Sequence, residues 1–188
     1  FGLVNDHTNK EGFVVSSDSD WAGLYSTTGE TRSRSGSCIT LDGMPIAWGS
    51  QHQKCVGTSY KEGLDEAEVA QSSAEGELYA AADTLKLALH MSYVADELNI
   101  PMPSPLIMLV DATAAIGKIQ GPRGGGKLKH IDLRQDWIKL LKNRKIVEVV
   151  KVPGEANPAD CFTKILGRVA FNKSESELMG RIDEDGRK

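Results

Sequence analysis

Apolar and polar residues change period repeatedly along the chain, and each change marks an element. After a polar lead-in over residues 1–11, "FVVSS" (Phe13–Ser17) reads as a strand. A turn-rich connection (Gly29–Gly36) follows, then "SCITLDGMPIAWGS" (Ser37–Ser50). The latter is two β-favouring runs around Asp42-Gly43, a dipeptide suited to a tight hairpin turn. Residues 51–68 are polar and aperiodic, which predicts a loop. From Ser72/Ser73 a helical period begins: Leu78, Ala81, Leu85, Leu89 and Ala95 form one stripe, with Glu75 and Glu77 in the first turns. Asn99 and the prolines 101, 103 and 105 end it.

The second half alternates between helix and strand. "LIMLVD" (Leu106–Asp111) is continuously apolar before its acid, the signature of a strand buried on both faces. "ATAAIGKIQ" predicts a short helix, and "GPRGGGK" (Gly121–Lys127) a flexible loop. Ile131–Asn143 is amphipathic, with Ile131, Leu133 or Arg134, Trp137, Leu140 and Leu141 near one face. "KIVEVVKV" (Lys145–Val152) predicts a strand, and "NPADCFTKIL" (Asn157–Leu166) a last helix with Pro158 near its first turn. Three strands followed by α/β crossovers predict a mixed sheet with helices on both faces.

Composition narrows the class. The chain has 188 residues, 40% hydrophobic and 26% charged, enough for one domain with a core. No apolar run approaches a membrane span, and no signal-peptide pattern opens the chain. The expected compartment is therefore the cytoplasm. Three scattered cysteines (Cys38, Cys55, Cys161) fit neither a disulfide framework nor a zinc site. Net charge is −4, yet Gly117–Lys151 carries ten Lys or Arg against three acids. That basic third is either a polyanion contact or a solvated helix face.

Candidate chemistry lies in the acids. Gly121-x-x-x-x-Gly126-Lys127 imitates a phosphate-binding loop, but Leu128 stands where Ser or Thr would hold magnesium, and the segment follows a helix. The carboxylates are better placed. Asp18 and Asp20 follow the first strand, Asp111 closes the most apolar one, Glu75 and Glu77 start the long helix, and Asp160 starts the last. Sites in such sheets form at the carboxyl ends of strands. Acids converging there need a cation, and an all-oxygen set suits Mg²⁺ or Mn²⁺. Acids also commonly cap helices, so position alone leaves both readings open.

The stretches "SDSDWAG", "TRSRSGS", "LDGMPIAWGSQHQ", "VAQSSAEGELYAAAD", "LVDATAAI", "LKHIDLRQDWI", "VPGEANPADCFTKIL" and "GRVAFNKSESELMG" resemble, in order, the ribonuclease H domain of copia-type retrotransposon polyproteins. The resemblance covers most of the chain from about Val15 to Gly180, with "KHIDLR" and "PADCFTK" the most specific parts. It implies a ribonuclease H-like α/β fold: a mixed five-stranded sheet, three antiparallel strands then two parallel, with helices on both faces. The implied organisation is a lead-in at 1–11, a domain over 12–166 with an inserted surface loop at 51–71, and a tail at 167–188.

The same resemblance implies a catalytic, metal-binding set of Asp18, Glu77, Asp111 and Asp160 holding two Mg²⁺ ions, with Mn²⁺ able to substitute. Asp18 would bridge both ions, Glu77 and Asp111 would face the leaving oxygen, and Asp160 the attacking water. Asp20, Glu75, Asp83 and Asp132 become supporting or surface acids. The implied reaction is hydrolysis of the RNA strand of an RNA–DNA hybrid. Lys127, Lys129, His130 and Arg134 are candidate substrate contacts, and a reverse transcriptase domain of the same polyprotein is the implied partner. His130 also reads as a helix-start histidine satisfied by a carbonyl, and Trp21, Trp48 and Trp137 read as core or rim anchors.

The chain departs from the family pattern in its long "CVGTSYKEGLDEAE" link, in Ala112 where Asn is common, and in "GPRGGGK". Two other functions compete with the nuclease: an inactive or repurposed nucleic-acid-binding module, and an integrase- or exonuclease-like reaction on the same fold.

Overall fold

The computed structural model describes residues 12–20, 33–53, 73–102, 104–121 and 129–179. The lead-in, most of the 51–71 insertion, Trp21, Cys55 and the glycine-rich loop through Lys127 lie outside the described residues. Strands β1 (Phe13–Asp20), β2 (Arg34–Leu41), β3 (Met44–His52), β4 (Leu106–Val110) and β5 (Val147–Lys151) form one sheet in the order β3-β2-β1-β4-β5. The β1/β2 and β2/β3 pairs are antiparallel, and β1/β4 and β4/β5 are parallel, as expected for the mixed sheet. Four α-helices are present among the described residues: α1 (Ser73–Glu97), α2 (Thr113–Gln120), α3 (Lys129–Asn143) and α4 (Arg168–Met179).

Local signals account for the boundaries. Asp42 and Gly43 both take positive φ (49° and 79°), the hairpin turn that their dipeptide favours. Helix α1 ends where Asn99 turns left-handed (φ 56°) and the Ile100 N–H donates to the Ala95 carbonyl at 2.8 Å. Lys145 ends α3 the same way, at φ 57°, with the Ile146 N–H on the Leu141 carbonyl.

The core sits between the sheet and α1–α3. Phe13, Val15, Ile39, Leu106, Met108, Val110 and Val147 face Leu78, Leu85, Ala115, Ile119, Ile138 and Leu141. Alanines 80, 81, 82 and 88 bury the first half of α1 on almost every side, because a methyl lets the sheet and two helices approach closely. On the opposite face Val14, Leu109, Val150 and Val152 form a second cluster, so β4 is buried on both sides as its sequence predicts.

Three expectations are corrected. Leu141 and Trp137 pack on the core as expected, but Gln135 and Ile138 complete the buried face of α3, whereas Leu133 and Leu140 are exposed. Gln135 is buried because its amide donates to the carbonyls of Lys118 and Gly121, closing the end of α2. Residues 157–166 form no α-helix: a 3-10 turn covers Asp160–Phe162, and helix resumes only at Arg168, inside the expected tail. Trp48 is 62% exposed, which excludes the core half of the core-or-rim expectation and leaves the rim. Strands β1 and β3 also run further than their apolar cores, to Asp20 and His52.

Candidate active site

The site arises where β1 and β4 part. Their last paired residues are Ser16 and Leu109. Beyond that pair β1 continues against β2 alone, with Asp18 opposite Gly36, while β4 stops at Val110. Asp18 and Asp111 thus stand at equivalent positions past the last pair, at the carboxyl ends of two parallel strands. This is the crevice in which sheets of this kind bind ligands.

Helix α1 supplies the third acid. Gly76 allows its second turn to lie against β1, since a Cβ there would meet Ser19 Oγ at 2.7 Å. The Ser19 N–H donates to Glu77 Oε1 at 3.1 Å. Gln53, just past β3, ties the elements together: its amide nitrogen lies 3.1 Å from Ser19 Oγ, 3.0 Å from Ser35 Oγ and 2.8 Å from the Gly76 carbonyl. One carboxylate oxygen each from Asp18, Glu77 and Asp111 lies within 4.8 Å of the others.

The segment after β5 closes the site from the other face. Asn157 is buried, donates to the Ser17 carbonyl at 2.9 Å, and accepts from the Ala159 N–H at 3.1 Å. The chain then lies directly on Gly36, where a Cβ would meet the Ala159 carbonyl at 2.7 Å and Thr163 Cγ2 at 2.8 Å. Thr163 Oγ1 thereby reaches Asp18 Oδ2 and donates to it. Asp160 sits at the start of the 3-10 turn, with Lys164 Nζ on its Oδ1. The structure therefore gathers Asp18, Glu77 and Asp111 and holds Asp160 beside them, engaged with a lysine.

Like charge in a buried setting makes this cluster costly. Burial, with Asp18 and Asp111 adding to it, pushes Glu77 up to about 9. Burial also raises Asp18, against the Thr163 hydrogen bond and the Lys164 charge. Glu77 Oε2 and Asp111 Oδ1 are buried with no hydrogen-bond partner. Orphaned acceptors on converging carboxylates fit a hard divalent cation, and the donor set is oxygen alone. Cys38 is no competitor for that role, because burial pushes its thiol up to about 12.

The remaining candidates fall elsewhere. Asp20 is half-buried at the end of β1 and outside the cluster. Glu75 pairs with Lys118 at 3.2 Å, and Asp83 with Lys86 and Arg134. Asp132 is half-buried on α3. Arg134 stacks on Tyr79, 4.3 Å from the ring centroid, and lies 3.4 Å from Asp83 Oδ1, so its guanidinium is engaged with α1. Lys129 and His130 are the first two residues of α3, and Lys127 lies outside the described residues. Sequence reasoning missed Asn157, Thr163, Lys164 and Gln53. The first three lie inside the quoted "NPADCFTK", where only the acid drew notice. Gln53 closes the quoted "LDGMPIAWGSQHQ", where nothing singled it out.

Comparison with solved structures defines the class: this is a ribonuclease H fold. LC11-RNase H1, isolated from compost by a metagenomic approach, superposes with a TM-score of 0.52 at 16% identity, covering 87% of this chain and 98% of that one. The N-terminal RNase H domain of a Mycobacterium tuberculosis protein gives 0.51 at 11% identity, over 87% and 96%. RNase H1 from the halophilic archaeon Halobacterium salinarum gives 0.50 at 13%, over 86% and 98%. No family model matches the chain.

The particular lineage comes from sequence. The chain is homologous to a segment of retrovirus-related Pol polyproteins of copia-type transposons. It is 29% identical over 163 residues to that of transposon TNT 1-94 from Nicotiana tabacum, covering 87% of this chain and 11% of the polyprotein. It is 30% identical over 162 residues to that of transposon RE2 from Arabidopsis thaliana, covering 86% and 10%. The chain thus spans about a tenth of the length of these relatives.

Proposed function

We propose that this chain is a metal-dependent endonuclease that hydrolyses the RNA strand of RNA–DNA hybrids during retrotransposon reverse transcription. The observation that carries the reading is the carboxylate cluster of Asp18, Glu77 and Asp111, in which Glu77 Oε2 and Asp111 Oδ1 are buried without a hydrogen-bond partner, in a ribonuclease H fold. Asp18, Glu77, Asp111 and Asp160 would hold two Mg²⁺ ions, or Mn²⁺ in their place. Bound there, the ions supply Lewis acidity to the phosphoryl oxygens and an activated water.

The chain's own residues prepare that site. Thr163 fixes the rotamer of Asp18, leaving its second oxygen for a ligand. The Ser19 N–H fixes Glu77 by one oxygen and leaves the other bare. Gly154 keeps space beside Asp111, since a Cβ there would lie 3.2 Å from Oδ2. Cleavage forms a bond from water oxygen to phosphorus and breaks the bond to the 3′ oxygen, leaving a 3′-hydroxyl and a 5′-phosphate. Hybrid choice rests on 2′-hydroxyls and groove shape, with Lys127, Lys129, His130 and Arg134 the candidate contacts. The polyprotein relatives support a reverse transcriptase region elsewhere in the parent product. No helix among the described residues is long and apolar enough to cross a membrane.

The test compares hybrid, duplex DNA, duplex RNA and single strands as substrates with Mg²⁺. Cutting confined to the RNA of the hybrid, with 5′-phosphate products, is expected. Cutting of duplex DNA instead would point to integrase-like chemistry.

A further inference from the structure

The only acid of the four that stands outside the tight cluster is the one bonded to a lysine. Asp160 and Lys164 are four residues apart, but they are not a surface pair on a helix, because the turn between them is a 3-10 turn followed by irregular chain. The adjacent Thr163 is seated on Asp18, which sets where Lys164 leaves the backbone. Its side chain is about half exposed. The ammonium charge acts on Asp18 and Glu77 as well as on Asp160.

We propose that Lys164 is a built-in counter-ion that occupies Asp160 in the metal-free site and must be displaced before Asp160 can ligate a second ion. The inference rests on the metal-dependent reading above. It divides the site unequally. The first ion would meet Asp18, Glu77 and Asp111, where Glu77 Oε2 and Asp111 Oδ1 already lack a hydrogen-bond partner. The second competes with an ammonium for its carboxylate, so it binds more weakly. Displaced from Asp160, the flexible lysine stem places a positive charge at the mouth of the crevice, where a substrate phosphate enters. Substrate and second ion would then bind with positive coupling, since each is favoured by the same movement of Lys164.

The test is calorimetric titration of the metal-free chain with Mn²⁺, without nucleic acid, for wild type, Lys164→Met, Lys164→Gln and Asp160→Asn. Two unequal sites are expected in wild type. Removing the lysine charge should tighten the weaker site by about tenfold, the effect of one unit charge a few ångströms away in a partly solvated site. The stronger site should change far less, and Asp160→Asn should lose the weaker site alone. Circular dichroism melting confirms that each variant is folded. Wild-type binding unchanged in both Lys164 variants overturns this inference and leaves the nuclease reading standing. No carboxylate-dependent binding in wild type overturns both.

Discussion

Glu77 offers a prediction that reads the site through folding stability. In the metal-free protein its carboxyl is pushed from an ordinary 4.5 to about 9, first by burial and then by Asp18 and Asp111. Between those values the folded chain holds a proton that the unfolded chain has released. Stability must then fall as pH rises, because unfolding is favoured by losing that proton. The penalty is absent below the unfolded value and complete above the folded one. Each pH unit inside the window costs up to about 1.4 kcal/mol from this residue. From about pH 6 to about pH 8 the loss therefore reaches up to about 2.7 kcal/mol, a large share of the stability of a small domain. Glu77→Gln keeps the side-chain shape and an acceptor for the Ser19 N–H but cannot ionise. Urea unfolding in EDTA across that range should show wild type weakening with pH and the variant weakening much less, the residual slope coming from Asp18, which burial also raises. A wild-type curve that is flat or rising over this range, or an identical slope in Glu77→Gln, would refute the electrostatic picture of the cluster.

Two further substitutions probe the scaffold. Gly36→Ala should destabilise the fold by about 1–3 kcal/mol in urea unfolding, because the new methyl overlaps the Ala159 carbonyl and Thr163 and neither is a flexible chain end. The same change should weaken Mn²⁺ binding by lifting Thr163 from Asp18. Lys145→Gly should raise stability by about 0.5–1 kcal/mol, since a left-handed lysine is strained at a helix end where glycine is not. A drop in melting temperature there would show that the lysine side chain has an unrecognised role.

What the sequence discloses is uneven for physical reasons. Strand β4 and the Asp42-Gly43 turn are legible because burial on both faces and positive φ each restrict residue choice sharply. The stop of α1 at Asn99 is legible on the same ground. The face of α3 is not, because Gln135 is polar yet buried, satisfied by carbonyls of α2 that are distant in sequence. Residues 157–166 look helical by composition, but Asn157 spends its side chain on β1 and the chain is pinned over Gly36, which leaves room only for a 3-10 turn.

The site divides the same way. Between Asp18 and Asp20 periodicity has no preference, since both point to one side of the strand. The resemblance singles out Asp18, and in the structure Asp18 is the one buried against Glu77 and Asp111. Thr163 and Lys164 could not be read, because their roles depend on a hydrogen bond and an ion pair that only the fold creates.

The most direct test of the account is cleavage of a labelled RNA–DNA hybrid with Mg²⁺ by wild type and by Asp111→Asn. Shortened RNA and intact DNA are expected for wild type, with a rate lower by about a hundredfold or more in the variant. Intact RNA after prolonged incubation of the folded wild-type chain with Mg²⁺ or Mn²⁺, or equal cutting by Asp111→Asn, would contradict it.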